Sequence, residues 1–309
     1  MQPKIAFLIT AYHQPNHLVR LIKSLDGDGS IFYIHVDAKK DLAPFITLVN
    51  SEFLEKSHIN FLKGSLRVKC YWGGFGLVQA TLNLMKEATR SKFSFTRYCL
   101  LSGSDFPIKS PEEIHLELNS SNIEYLSVDR QLEPRKNISH WDRRAYYYHF
   151  RDNNFLVKLG LSGGIPRFRP CPIPIYLGSG WWCLTQDAIF FVLKFIENNP
   201  QYLNWVRYVD IPDEVFIHSI IKASPFSENI SDDFEKPALM SHQPSDFVAG
   251  VHYINWSEGR PHPKILDEND YASLRQSQAL FARKFEEPHS NKLVDHLISD
   301  EMSDRVEIH

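Results

Sequence analysis

The chain has 309 residues, enough for one large domain or two small ones with a full core. Its 43% hydrophobic and 23% charged residues are ordinary for a globular protein, and a net charge of −3 leaves no electrostatic footprint for nucleic acid. Aromatics are plentiful (21 Phe, 13 Tyr and 6 Trp), which suits carbohydrate stacking and a large core equally.

Residues 4–10 (K-I-A-F-L-I-T) form a continuous apolar run that predicts a strand buried on both faces. Seven residues are too few for a signal-peptide core or a membrane span, so a chain without anchor is expected. Leu18, Leu21, Ile22 and Leu25 have helical spacing after Pro15. A second strand is predicted at 31–36, closed by Asp37, and a shorter one at 59–62. Trp72-Gly73-Gly74 leads into a helix over 75–88, and 97–101 completes the alternation as a strand. Strands alternating with helices imply a mostly parallel sheet with right-handed crossovers, so the expected class is α/β with a Rossmann-like sheet flanked by helices.

The segment L-L-S-G-S-D-F-P-I-K at 100–109 carries the most information. A strand breaks at Ser102-Gly103-Ser104 and places Asp105 just beyond its end. Ligands of open α/β sheets bind at the carboxyl ends of strands, although Asp is also an ordinary turn residue. Ser110-Pro111-Glu112-Glu113 then reads as a helix N-cap with Pro at the first helical position. Residues 129–180 are rich in Arg, Pro, Tyr and Trp without a clean period, as expected of a long functional loop. Helical patterns return at 185–198 and 213–222, a strand is expected at 247–254, and helices at 268–277 and 291–299. No linker divides the chain, which predicts one domain with an insert.

Several chemistries are absent from the sequence. There is no G-x-x-x-x-G-K-[ST] loop, no G-x-G-x-x-G after the first strand, no G-x-S-x-G elbow and no H-E-x-x-H. The single early Asp-x-Asp, Asp26-Gly27-Asp28, falls between a helix and a strand, where an acidic turn is expected. Cys70, Cys99, Cys171 and Cys183 show no metal spacing, and Cys99 lies in an apolar strand, which suggests reduced thiols and a cytoplasmic setting.

What remains is a set of carboxylates at element ends (Asp37, Asp105, Asp213, Glu214), an aromatic turn (Gly178-Ser179-Gly180-Trp181-Trp182) and a late cationic pair, Arg283-Lys284, between Phe281 and Phe285. Such a set suits group transfer from a nucleotide sugar, which needs a base for the acceptor hydroxyl and positive charge for the departing diphosphate. In order along the chain, W-G-G (72–74), S-G-S-D-F-P-I-K (102–109), G-S-G-W-W (178–182), P-D-E (212–214) and F-A-R-K-F (281–285) resemble the core-2/I-branching β-1,6-N-acetylglucosaminyltransferase family, glycosyltransferase family 14. That family also contains the peptide O-xylosyltransferases, and the resemblance runs from Ile5 to about Phe285.

The resemblance implies a GT-A-like fold, a UDP-sugar donor carrying GlcNAc or xylose, inversion at the anomeric carbon, and no cofactor or divalent metal. Ser104-Asp105-Phe106 agrees, with one carboxylate where metal-dependent relatives of the fold hold two. It also implies a nucleotide-sugar-binding half over 1–128 and an acceptor-binding, catalytic half over 129–309. Glu214 takes the part of catalytic base, with the dipole of a helix starting at Asp213 keeping it ionised. The bland alternative is a first-turn carboxylate, with Asp213 as N-cap. Lys284 and Arg283 are expected at the donor diphosphate, with Arg260 or Lys264 as upstream partner. Asp37 and Asp105 are expected at the uridine or donor sugar. Trp72, Gly73, Ser179, Asp213 and one of Trp181 and Trp182 are expected toward substrate, the other Trp in the core. Trp141, Arg143, Arg144 and Tyr146–Tyr148 are candidates for the acceptor side.

The partners expected are a UDP-sugar and a glycan or glycolipid, with no nucleic acid. The setting expected is a bacterial cytoplasm, compatible with peripheral attachment to the inner face of the membrane. The competing readings are a carbohydrate-binding protein that has lost catalysis and a metal-dependent nucleotidyltransferase.

Overall fold

The computed structural model describes residues 4–133, 139–236, 240, 247–257 and 262–307. The first half alternates as the sequence predicts: β1 (Ile5–Ala11), α1 (Pro15–Leu25), β2 (Ser30–Val36), α2 (Ala43–Glu52), β3 (Ile59–Phe61), α3 (Gly76–Thr89), β4 (Arg97–Ser102), β5 (Asp105–Pro107) and α4 (Pro111–Asn119). The second half is built of shorter pieces: β6 (Glu124–Leu132), α5 (His140–Tyr146), β7 (Tyr147–Tyr148), α6 (Asn154–Lys158), β8 (Ile165–Pro166), β9 (Ile175–Gly178) and β10 (Cys183–Thr185). Then come α7 (Gln186–Asn198), α8 (Pro200–Val206), a 3-10 turn (Pro212–Glu214), α9 (Phe216–Lys222), β11 (Ile230–Asp233), β12 (Val248–Ala249), β13 (His252–Ile254), α10 (Tyr271–Gln276), β14 (Phe281–Arg283) and α11 (Asn291–Glu307).

The central sheet has the order β11-β6-β10-β4-β1-β2-β3, with β9 paired to β6. β4, β1, β2 and β3 run parallel, as do β6 and β11, whereas β10 is antiparallel to both its neighbours. The class is therefore α/β, with a mostly parallel sheet flanked by helices. β1 explains why: its side chains alternate between two apolar clusters, Ile5, Phe7 and Ile9 on one face and Ala6 and Leu8 on the other. β5 leaves this sheet and joins a second one of order β12-β13-β14-β5. That second sheet sets Asp105 opposite Arg283.

Some expectations require revision. α2 has only Phe45 and Val49 buried, too thin an apolar stripe to be read from sequence. The expected strand at 247–254 is two short strands around Gly250, whose φ of 59° forces a turn. The stretch 129–180 carries real elements, and residue 128, the boundary between the two expected halves, falls inside β6. Asp26-Gly27-Asp28 forms the turn before β2, at the opposite end of that strand from Asp37, and Asp26 lies 3.1 Å from His58. All four cysteines are free. Among the described residues, no helix is long and apolar enough to cross a membrane.

Candidate active site

The carboxyl ends of β1, β2 and β4 open onto a cleft of about 200 Å³ lined by residues that include Tyr12, His13, Asp37, Cys70, Ser104, Trp181 and Arg283. Asp37 directly follows β2, with its amide held by the Ala11 carbonyl at 2.9 Å. One carboxylate oxygen accepts from the Lys39 amide at 2.8 Å; the other is buried without a hydrogen-bond partner, with Lys39 Nζ at 3.5 Å. A buried acceptor with spare capacity in a cleft wall is placed to take a donor hydroxyl or N–H.

Asp105 is not in the cleft wall, contrary to expectation. It is fully buried, and its carboxylate accepts from the Ser102 amide at 2.7 Å and the Ser102 hydroxyl at 2.8 Å. Arg283 Nη1 lies 3.4 Å away and His252 Nε2 3.5 Å. Burial pushes the Asp105 carboxyl up, but the Arg283 charge, His252 and the Ser102 amide outweigh it and hold the group below the usual range. Asp105 thus anchors the cation that does line the cleft. His252, which sequence reading missed, completes this buried cluster. Arg283 in turn lies over the Trp181 ring, 4.0 Å from its centre.

Trp181 and Trp182, just ahead of β10, separate: Trp181 stacks in the cleft, while Trp182 is 1% exposed within the core and has no surface for a substrate. Lys284 does not join Arg283 at Asp105 but lies toward the His13 side of the cleft. Its Nζ is 3.7 Å from Glu286, which also lies 3.8 Å from the cleft residue His13. Lys264 is engaged by Asp270 at 2.8 Å, and its backbone pairs with Lys284. Arg260 lies outside the described residues.

Glu214 sits in the 3-10 turn ahead of α9, not in the first turn of an α-helix, and no side chain caps either element. The expected dipole support and the Asp213 N-cap are therefore both absent. Glu214 instead accepts from Arg144 Nη1 at 2.8 Å, and Arg144 stacks 4.4 Å from the centre of the Trp141 ring. Burial, then the Asp213 charge, raise the Glu214 carboxyl to about 7, with Arg144 restraining the rise. Burial likewise raises Asp213 to about 6. A carboxylate that titrates near neutrality is better matched to proton transfer than one held ionised.

The W-G-G segment packs on this turn. The Gly73 carbonyl accepts from the Ile211 amide at 3.0 Å, and a side chain at Gly73 (φ 69°) would meet Asp210 at 3.2 Å. Arg151 donates to both Asp210 oxygens, at 2.6 and 3.0 Å, and lies over Trp72, which is 66% exposed and so free to stack on a ligand. The Ser179 carbonyl accepts from His218 Nε2 at 2.7 Å. A side chain at Gly180 would stand 3.2 Å from Asp213. The turn at 178–181 therefore touches His218 at Ser179 and Asp213 at Gly180, and at the next residue, Trp181, the Arg283 cation.

Residues 5–277 match the model of the Core-2/I-Branching enzyme family. The chain belongs to this family. It is 25% identical over 95% of its length to a xylosyltransferase of Ciona intestinalis, and 24% identical over 91% to a β-1,3-galactosyl-O-glycosyl-glycoprotein β-1,6-N-acetylglucosaminyltransferase of Bos taurus. It spans 34% of the former and 66% of the latter. Among solved structures, the galactosyltransferase LgtC in complex with donor and acceptor sugar analogues aligns over 96% of this chain and 95% of its own, at 11% identity and a TM-score of 0.42.

Proposed function

We propose that this family member is an inverting glycosyltransferase that moves N-acetylglucosamine or xylose from a UDP-sugar to a glycan hydroxyl without a divalent metal. The observation that carries this reading is the turn at 178–181, which sets Asp213, the neighbour of Glu214 in a carboxylate pair raised toward neutrality, beside a largely buried, stacked guanidinium. In the transfer, the acceptor oxygen attacks the anomeric carbon while Glu214 takes its proton. The bond from that carbon to the diphosphate oxygen breaks on the opposite side, and UDP departs with its charge facing Arg283 and Lys284. Asp37 receives a donor hydroxyl or N–H, and Trp181 and Trp72 offer stacking faces to the sugars.

Metal independence is supported by the occupation of Asp105: both its oxygens are committed to Ser102, with Arg283 beside one and His252 beside the other. On this reading the acceptor is a glycan or glycolipid met in the cytoplasm or at the inner membrane face, in keeping with four free cysteines.

A thermal-shift screen with UDP, UDP-GlcNAc, UDP-xylose, UDP-glucose and UDP-galactose identifies the donor. A ligand at 100 times its Kd stabilises the fold by about 2.7 kcal/mol. Transfer from the selected donor should persist in excess EDTA. No shift with any nucleotide sugar, or activity strictly dependent on Mn²⁺ or Mg²⁺, would overturn the proposal.

A further inference from the structure

His218 lies on α9, four positions beyond Glu214, and is fully buried. Because the Ser179 carbonyl can only accept, the 2.7 Å contact requires the proton on His218 Nε2. Nδ1 is then a bare acceptor, and it is buried without a partner. A leucine or phenylalanine would fill the same space without stranding a polar atom, so what the imidazole contributes here is its Nε2–H. Burial, opposed by the Ser179 carbonyl, lowers its pKa to about 4, so the ring stays a neutral donor across the working range.

The neighbouring backbone is shaped to this ring. A side chain at Gly178 would collide with the His218 ring at 2.6 Å and with the Ser127 carbonyl at 1.9 Å. The Ser179 amide donates to that same Ser127 carbonyl, and Ser219 accepts from the Tyr176 amide at 3.0 Å. The helix that follows Glu214 is thereby clamped to β9 and to the start of the 178–181 turn. That turn ends on the ring carrying Arg283.

We propose that His218 is a positioning residue: its bond to the Ser179 carbonyl fixes Glu214 relative to the Trp181–Arg283 stack, and so sets the distance between the acceptor's base and the departing diphosphate. The inference rests on Glu214 being the base. Arg283 is held independently by Asp105, so loss of the His218 bond displaces the base side while leaving the cation in place.

The test compares His218→Leu, His218→Gln and Glu214→Gln, with rates expressed per folded molecule. His218→Leu should bind UDP near the wild-type affinity, turn over about 10- to 100-fold more slowly, and shift the pH limb expected of wild type near 7. His218→Gln, whose amide can reach the Ser179 carbonyl, should recover most of the rate and restore the limb. If His218→Leu does not fold, His218→Asn, polar but too short to reach, takes its place. A merely structural role would lower Tm and leave the rate per folded molecule and the pH profile unchanged. Wild-type turnover in His218→Leu with a slow Glu214→Gln would overturn the positioning role alone. Wild-type turnover in Glu214→Gln would overturn the base assignment and this inference with it.

Discussion

Two carboxylate clusters adjoin neighbouring residues of the 178–181 turn, Asp213 at Gly180 and, through Arg283, Asp105 at Trp181, and they are built on opposite principles. Asp105 is wholly buried, yet its neighbours are amide, hydroxyl and guanidinium, so burial is overcome and the charge is held. Asp213 and Glu214 are less enclosed, yet burial raises both toward neutrality, with Asp213 and Asp210 adding to the rise at Glu214 and the nearby arginines only restraining it. Partners, more than depth, decide which carboxylate keeps its charge. The first cluster is suited to hold a cation still; the second is suited to exchange a proton.

The largest effect is expected from breaking the first cluster. Asp105→Asn leaves the largely buried Arg283 without its nearest counter-charge, which costs about 3 kcal/mol in denaturant unfolding and removes UDP binding with it. Because the Asp105 pKa is depressed, its contribution is present above the unfolded value near 4 and is lost as pH falls through the folded value. A stability change within about 0.5 kcal/mol of wild type would show that the pair carries nothing.

The next effect concerns division of labour beside the donor. Lys284→Ala removes a half-exposed cation that no buried group depends on, so the fold should be unaffected. Loss of a charge-assisted contact of about 1.5–3 kcal/mol should weaken UDP binding about 10- to 100-fold in calorimetry. Unchanged affinity would place the diphosphate on Arg283 alone.

The smallest effect sharpens the contrast. Glu214 has a raised folded pKa, so its contribution to stability is full below its unfolded value near 4.3 and is lost as pH rises through about 7. Glu214→Gln is neutral at every pH. Its Tm relative to wild type should therefore be more favourable at about pH 8 than at about pH 5. A constant difference across that range would mean that Glu214 titrates normally.

Much of the fold was legible because β1, β2 and β4 are buried on both faces and read as continuous apolar runs. The N-cap at Ser110 with Pro111 following is equally local and forms as the sequence implied, and Glu113 completes it as a capping box. The pairing that matters at the site is not local. Arg144 and Glu214 are 70 positions apart, and His252 meets Asp105 from another strand of the second sheet. No period or spacing announces such contacts. The motif order placed Glu214, Trp181 and Arg283 together, but not the reason for their behaviour: the expected helix dipole at Glu214 is replaced by burial and acidic neighbours. Asp105 reads as a ligand-facing carboxylate because it follows a strand end, and only the return of β14 beside β5 shows that it faces inward.

The central claim is that Glu214 is the base of the transfer. The most direct test is the pH dependence of kcat/KM in wild type and Glu214→Gln, beside UDP affinity for both. Wild type should gain activity as pH rises through about 7, the point to which burial and Asp213 lift this carboxyl. Glu214→Gln should bind UDP normally, turn over at least about 100-fold more slowly and lose that limb. A Gln variant that transfers at the wild-type rate, or that keeps the same rise through neutrality, would contradict the account.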